Sequence, residues 1–271
     1  MKRNLLLGFV VVVVLSACAS RSGRAGGVAG APEGCPAIVT LNPPEDGFFS
    51  KRLDYHGIPI KSHQVVADEA LYEAWRRLDG LLKNQPVVLE NLVKAGAQLQ
   101  IIGRDQVTTD LPEFRQDKGV KLPEYNGLTR DERTRGMGGL SSSCGEENLL
   151  RLEKDRYRGR DICVHEFCHG VFDCGLDDAT RQKFLDQLKR SNEKGLWVES
   201  YAASGYGGEF LSELTMWYVG THGDLGMKGP KPENGREGLK KYDPEAFALV
   251  DDFFSGRLKV ARVEPNTDEP R

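Results

Sequence analysis

The chain has 271 residues, 39% hydrophobic and 28% charged, enough apolar content and length for a globular body of one domain. Its 37 basic and 40 acidic residues leave a net charge of −3, and no basic patch interleaved with aromatics occurs. That balance gives no footing for nucleic-acid binding and points to a peptide or a small molecule as partner.

Lys2 and Arg3 precede an apolar run from Leu5 to Leu15 and small residues up to Cys18. A basic start, about a dozen apolar residues and a small-residue end read as a secretory signal, too short to span a bilayer permanently. Leu15, Ser16, Ala17 and Cys18 resemble the bacterial lipobox. The resemblance implies that residues 1–18 are a lipoprotein signal and that Cys18 is lipid-modified and becomes the mature N-terminus, held in the membrane by several acyl chains. Ala19, where an inner-membrane retention signal has Asp, resembles outer-membrane sorting. The expectation is an exported bacterial lipoprotein, anchored in the outer membrane and facing the periplasm or cell surface, with a plain signal peptide as the alternative. Residues 19–34, mainly Ser, Arg, Gly and Ala, predict a flexible tether reaching roughly 20 to 25 Å. A folded body is expected over residues 35–262, and residues 263–271, rich in Pro and charge, as a frayed tail.

Within the body, residues 42–47 are turn chemistry and residues 56–60 a short extended segment. From about Ala67 to Leu82, Leu71, Ala74, Trp75, Leu78 and Leu81 recur at helical spacing behind Asp68 and Glu69, which predicts a helix. A second helix is expected from Pro86 to Ala95, broken by Gly96. Residues 98–102 alternate ahead of Gly103 as a strand does. Residues 108–112 follow as an exit loop, and residues 115–139, charged and glycine-bearing, predict a long irregular excursion. Asn148 to Leu152 is the candidate strand ahead of the next helix. Asp161 is placed to cap that helix and Gly175 to end it. Asp177 or Asp178 then caps a helix to about Ser191, with Phe184, Leu185 and Leu188 inward.

Besides Cys18 there are Cys35, Cys144, Cys163, Cys168 and Cys174. An exported chain can form disulfides. On one helix Cys163, Cys168 and Cys174 lie at least about 7.5 Å apart along the axis, too far for a bridge. Any bridge therefore involves Cys35 or Cys144, and the alternative for Cys163 and Cys168 is that they fill the core.

The helix starting near Asp161 carries His165, Glu166 and His169, an H-E-x-x-H pattern. Residues four apart share a helix face, so both imidazoles can take corners of a zinc tetrahedron while Glu166 serves as general base towards a water. A catalytic zinc takes a third protein ligand. Downstream, Glu209 and Glu213 sit four apart near the start of an apolar helix that also carries Met216 and Trp217. Burying them there is costly without partners, which zinc would supply to Glu209 and the free N–H of a ligand histidine to Glu213. Any of the other histidines, His56, His63 and His222, is a rival third ligand, His222 foremost.

The H-E-F-x-H-G run, the interval of 40 residues from His169 to Glu209 and the Glu-aromatic-x-x-Glu pattern at Glu209, Phe210 and Glu213 resemble the catalytic domain of anthrax lethal factor and the related proline-proline endopeptidases. The similarity covers roughly residues 140–255, with residues 35–115 as a helical and strand prelude. It implies an α+β, zincin-like metallopeptidase domain: a small mixed sheet, the H-E-x-x-H helix and a following glutamate-bearing helix. In zincins the strand before the motif helix is the edge along which an extended peptide lies, and Asn148 to Leu152 is either that edge or an internal strand. The family's oxyanion-stabilising tyrosine stands seven residues before the glutamate ligand. Here that position is Ala202; Tyr201 is eight before, and a one-residue insertion in residues 205–208 restores the register, with Tyr206 as rival. The expected activity is zinc-dependent peptide hydrolysis, one Zn2+ per chain. The alternatives are a zinc amidase acting on cell-wall peptides and a non-enzymatic surface lipoprotein keeping the fold.

Overall fold

The computed structural model describes residues 30–197, 200, 202, 204–223 and 229–263. The signal segment with Cys18, the tether up to residue 29, Tyr201 and the tail beyond residue 263 lie outside the described residues. Among the described residues, no helix is long and apolar enough to cross a membrane.

Chemical punctuation sets the first elements. Helix α1 (Asp68–Leu82) has Asp68 and Glu69 in its first turn, complementing the helix dipole, and buries Leu71, Ala74, Trp75, Leu78 and Leu81. Helix α2 (Pro86–Ala95) starts on Pro86, whose missing N–H costs nothing there, and stops at Gly96 in the left-handed region. Strand β4 (Gln98–Ile102) follows, buried beyond Gln98.

The sheet is mixed and six-stranded, with spatial order β1-β2-β3-β4-β6-β5. Strands β1 (Val39–Glu45), β2 (Phe49–Tyr55) and β3 (Ile58–Ser62) form an antiparallel meander. Strand β4 joins β3 in parallel, β6 (Ser141–Gly145) joins β4 in parallel, and β5 (Gly136–Met137) closes the edge antiparallel to β6. The turn expected over residues 42–47 thus shrinks to the Glu45–Phe48 connection, because residues 42–45 complete β1. Strand β2 escapes a pattern reading because Lys51, Arg52 and Asp54 interrupt its apolar positions; Lys51 is tied to Asp68 at 2.6 Å and to the Val66 carbonyl at 2.8 Å.

Asn148 to Leu152 is not a strand. Residues Glu146–Leu149 form a short helix, α4, and the strand before the motif helix is the serine-rich β6. The reason lies in the side chains: Glu146 and Glu147 are buried against Arg104 and Arg135, each 2.6 Å away. Asn148 donates to the Arg160 carbonyl at 2.7 Å and accepts from Ile162 N at 2.9 Å. These bonds need a turn that faces inward with consecutive residues, which alternation in a strand forbids. The sheet edge beside the motif helix is β5, which emerges from the excursion. That excursion is irregular as expected, with short 3₁₀ segments at Pro112–Asp117 and Pro123–Tyr125 and helix α3 (Arg130–Arg133), pinned by Arg130 to Asp117 at 2.6 Å.

Helix α5 (Ile162–Gly170) runs on through a wider turn to Gly175. Helix α6 (Asp178–Glu193) is capped by Asp177, with Phe184 and Leu188 buried and Leu185 half-buried. Helices α7 (Gly207–Val219), α8 (Arg236–Tyr242) and α9 (Pro244–Phe254) follow, and α5 packs between β6 and α7 in the main apolar core. The five cysteines in the body are free thiols, so no bridge from Cys35 or Cys144 forms. Cys163 and Cys168 fill the core, and burial pushes the Cys168 thiol up to about 12, which keeps it unreactive.

Candidate metal centre

The backbone of α5 is fixed from every side before its side chains are considered. Asp161 caps it by accepting from Val164 N at 3.2 Å, while its other oxygen accepts from Arg77 and Arg151 at 2.8 and 2.9 Å. Ser212 of α7 donates to the His165 carbonyl at 2.8 Å, and Ser142 of β6 lies 3.1 Å from the Glu166 carbonyl. The β5–β6 loop comes so close that a Cβ on Gly138 would sit 2.4 Å from the His169 ring. Glycine is required there by contact rather than by backbone angle.

On this platform His165 and His169 are both buried, with their ring centroids 5.1 Å apart. The Glu209 carboxylate arrives from the first turn of α7 and faces both rings: Oε2 is 3.3 Å from His165 Nε2 and Oε1 is 3.6 Å from His169 Nε2. Oε2 is nevertheless buried without a hydrogen-bond partner, because it is misaligned with the ring. A separation of about 3.3 Å is what two ligands at tetrahedral corners show when each bond is 2.0–2.1 Å. The donor set and the orphaned oxygen therefore fit a cation at this point, and among the described residues His165, Glu166 and His169 converge as a group able to hold one, as do His165, Glu209 and Glu213.

No known protein-family model matches the chain, and no curated protein matches it.

Electrostatics favours positive charge at the same point. Burial works against the His165 imidazolium, but contacts with Glu209 and Glu213 outweigh it and lift the ring to about 10. Burial would raise the Glu209 and Glu213 carboxyls too, yet His165 holds both below the usual range. Burial and then the charge of His165 push His169 the other way, towards the neutral ligand form. Burial pushes Glu166 up to about 7, with His165 opposing and Glu209 reinforcing.

Glu213 stands behind the rings. Its Oε1 is 3.3 Å from His165 Nδ1, off the line of a good hydrogen bond, and it also accepts from Arg160. Its Oε2 meets His222 Nε2 at 2.6 Å. His222, expected as the rival ligand, is fully buried on that far side and stacks on Trp217 with centroids 3.7 Å apart. It supports Glu213 and does not reach the cation position. His56 and His63 lie in the meander region, beside Tyr55 and Phe48.

Tyr206 stacks on His169 at 5.6 Å, and its hydroxyl donates to Asp173, whose two oxygens lie 2.7 and 2.9 Å away. That engagement takes the Tyr206 hydroxyl away from an oxyanion role; Tyr201 lies outside the described residues.

A cavity of about 470 Å³ opens on the four site residues His165, Glu166, His169 and Glu209. Its opposite walls come from β5 and the excursion and from the loop before α5, including Arg133, Arg156 and Arg160. Sequence reasoning missed these arginines, since irregular segments carry no period that would bring them together.

Proposed function

We propose that the chain is a zinc-dependent metalloendopeptidase of zincin-like architecture, with zinc held by His165, His169 and Glu209. The observation that carries the reading is the approach of one carboxylate to two histidine Nε2 atoms, at 3.3 and 3.6 Å, beside a half-buried Glu166 on the wall of a cavity. Two histidines and a carboxylate are a set used for catalytic zinc. The mixed sheet with the motif helix packed on β6 supports the architecture.

When bound, zinc supplies Lewis acidity and a water acidified towards neutral pH. Glu166 takes the proton of the attacking water and returns it to the leaving amine, so the C–N bond breaks as the carboxyl and the amine form. Glu213 keeps His165 oriented through its Nδ1 side, backed by His222 and Arg160. The oxyanion donor is assigned to Tyr201 on its place in the Ser-Tyr-Ala-Ala-Ser run of residues 200–204. An extended peptide substrate would lie along β5, the last strand of the sheet and a wall of the cavity. Export and lipid anchoring through Cys18 belong to the same proposal.

The test is digestion of a peptide library by the zinc-loaded body, beside Glu166→Gln. Wild-type cleavage reduced by roughly 10²–10⁴-fold in the variant, with zinc retained, supports the reading. A wild type that holds zinc and cleaves no peptide overturns it.

A further inference from the structure

The cavity beside the candidate metal is lined by Arg133, Arg156 and Arg160, of which only Arg160 has an ion-pair partner among the described residues. Several other arginines are paired: Arg77 and Arg151 share Asp161, Arg130 meets Asp117, Arg135 meets Glu147. Arg133 is exposed on the cavity wall, and among the described residues its guanidinium has neither hydrogen-bond nor ion-pair partner. Arg156 lines the same cavity, is exposed, and donates only to the Glu132 carbonyl at 2.9 Å. Arg160 completes the wall; its side chain is 92% buried, it shares charge with Glu213, and its Nε has no partner. The carboxylates lining this cavity are Glu166 and Glu209, both belonging to the candidate metal centre. Tyr125 and Tyr157 add aromatic walls, their hydroxyls accepting from Arg130 Nη1 at 2.9 Å and Arg135 N at 3.0 Å.

We infer that this pocket recognises a carboxylate on the substrate residue next to the scissile bond. A guanidinium fork matches a carboxylate with two parallel hydrogen bonds. A neutral residue would form no charge-assisted bond with Arg133 and Arg156, and a basic one would in addition be repelled by them. The carboxylate has two sources, an Asp or Glu side chain within a chain or the terminal carboxylate of a peptide, and both present the same group. The inference rests on the proposed peptide hydrolysis in taking the ligand to be a peptide and in placing its scissile bond at the candidate metal centre.

The zinc-loaded protein and its Glu166→Gln variant are tested with acetylated tetrapeptide amides differing only in glutamate against glutamine, and with acetyl-trialanine carrying a free or an amidated C-terminus. Binding to Glu166→Gln is read by calorimetry and cleavage by wild type is read by mass spectrometry. A glutamate-over-glutamine preference of about tenfold or more identifies a side-chain carboxylate, and free-over-amidated preference identifies a terminal one. Either preference should fall below about threefold in the doubly substituted Arg133→Gln/Arg156→Gln protein, with zinc content unchanged. Carboxylate preference in binding without cleavage keeps the pocket and removes the peptidase reading. Cleavage or binding indifferent to the carboxylate, or a preference that survives the double substitution, overturns the pocket.

Discussion

Oε1 of Glu213 lies 3.3 Å from Nδ1 of His165, so the carboxylate meets the ring on the side opposite to Glu209. One imidazole is thereby held between two carboxylates from successive turns of α7, and the far carboxylate is itself gripped by His222 and Arg160. The spacing of Glu209 and Glu213 by four residues lets one helix face the candidate cation position and brace His165.

Replacing Glu213 by Gln keeps the shape and removes the charge. Metal affinity is expected to fall about 10–100-fold, measured by competition with a chromogenic chelator. Stability is expected to fall by about 3 kcal/mol, because Arg160 is left buried without a carboxylate. Unchanged metal affinity would remove Glu213 from its bracing role.

Gly138 and Gly80 separate contact from conformation. A Cβ at Gly138 would sit 2.4 Å from the His169 ring, so Gly138→Ala should displace the ring, cost about 1–3 kcal/mol and weaken metal binding. A Cβ at Gly80, exposed in the last turn of α1, meets nothing within 4 Å. Gly80→Ala is expected to add about 0.5–1 kcal/mol without touching the metal. Thermal unfolding and chelator competition on both variants check the contrast.

How much was legible in the chain follows from where the specifying interactions lie. The ends of α2 are written in Pro86 and Gly96, and the histidines and glutamates of the candidate site lie on two helices at intervals of four, so local chemistry sufficed. Strand β6 was hidden because Ser141 to Ser143 are small, suiting close approach to α5 rather than strand propensity; Ser142 reaches the Glu166 carbonyl. The segment after it folds as a turn where its pattern predicts a strand, because Glu146, Glu147 and Asn148 find partners distant in sequence, which no local pattern records. The arginine wall was invisible for the same reason.

Glu146 predicts an acid limb to stability. Burial alone would raise its carboxyl, but the Arg104 guanidinium, Arg104 N and Ala67 N, at 2.6, 2.8 and 3.1 Å, outweigh burial and hold it below its ordinary 4.5. The folded-state value being the lower one, the stabilisation is complete above the ordinary value and is lost as pH falls through the folded one. Denaturant unfolding between about pH 5 and pH 3 should therefore show falling stability, with a shallower slope in Glu146→Gln. Parallel slopes would contradict this.

Zinc K-edge X-ray absorption on the purified protein at neutral pH tests the metal centre most directly. The expected spectrum has two imidazole nitrogens and a carboxylate oxygen at about 2.0–2.1 Å, one zinc per chain, and loss of the carboxylate contribution in Glu209→Ala. Absence of zinc, a sulfur ligand at about 2.3 Å, or a spectrum unmoved by Glu209→Ala would contradict the assignment of His165, His169 and Glu209 as its ligands.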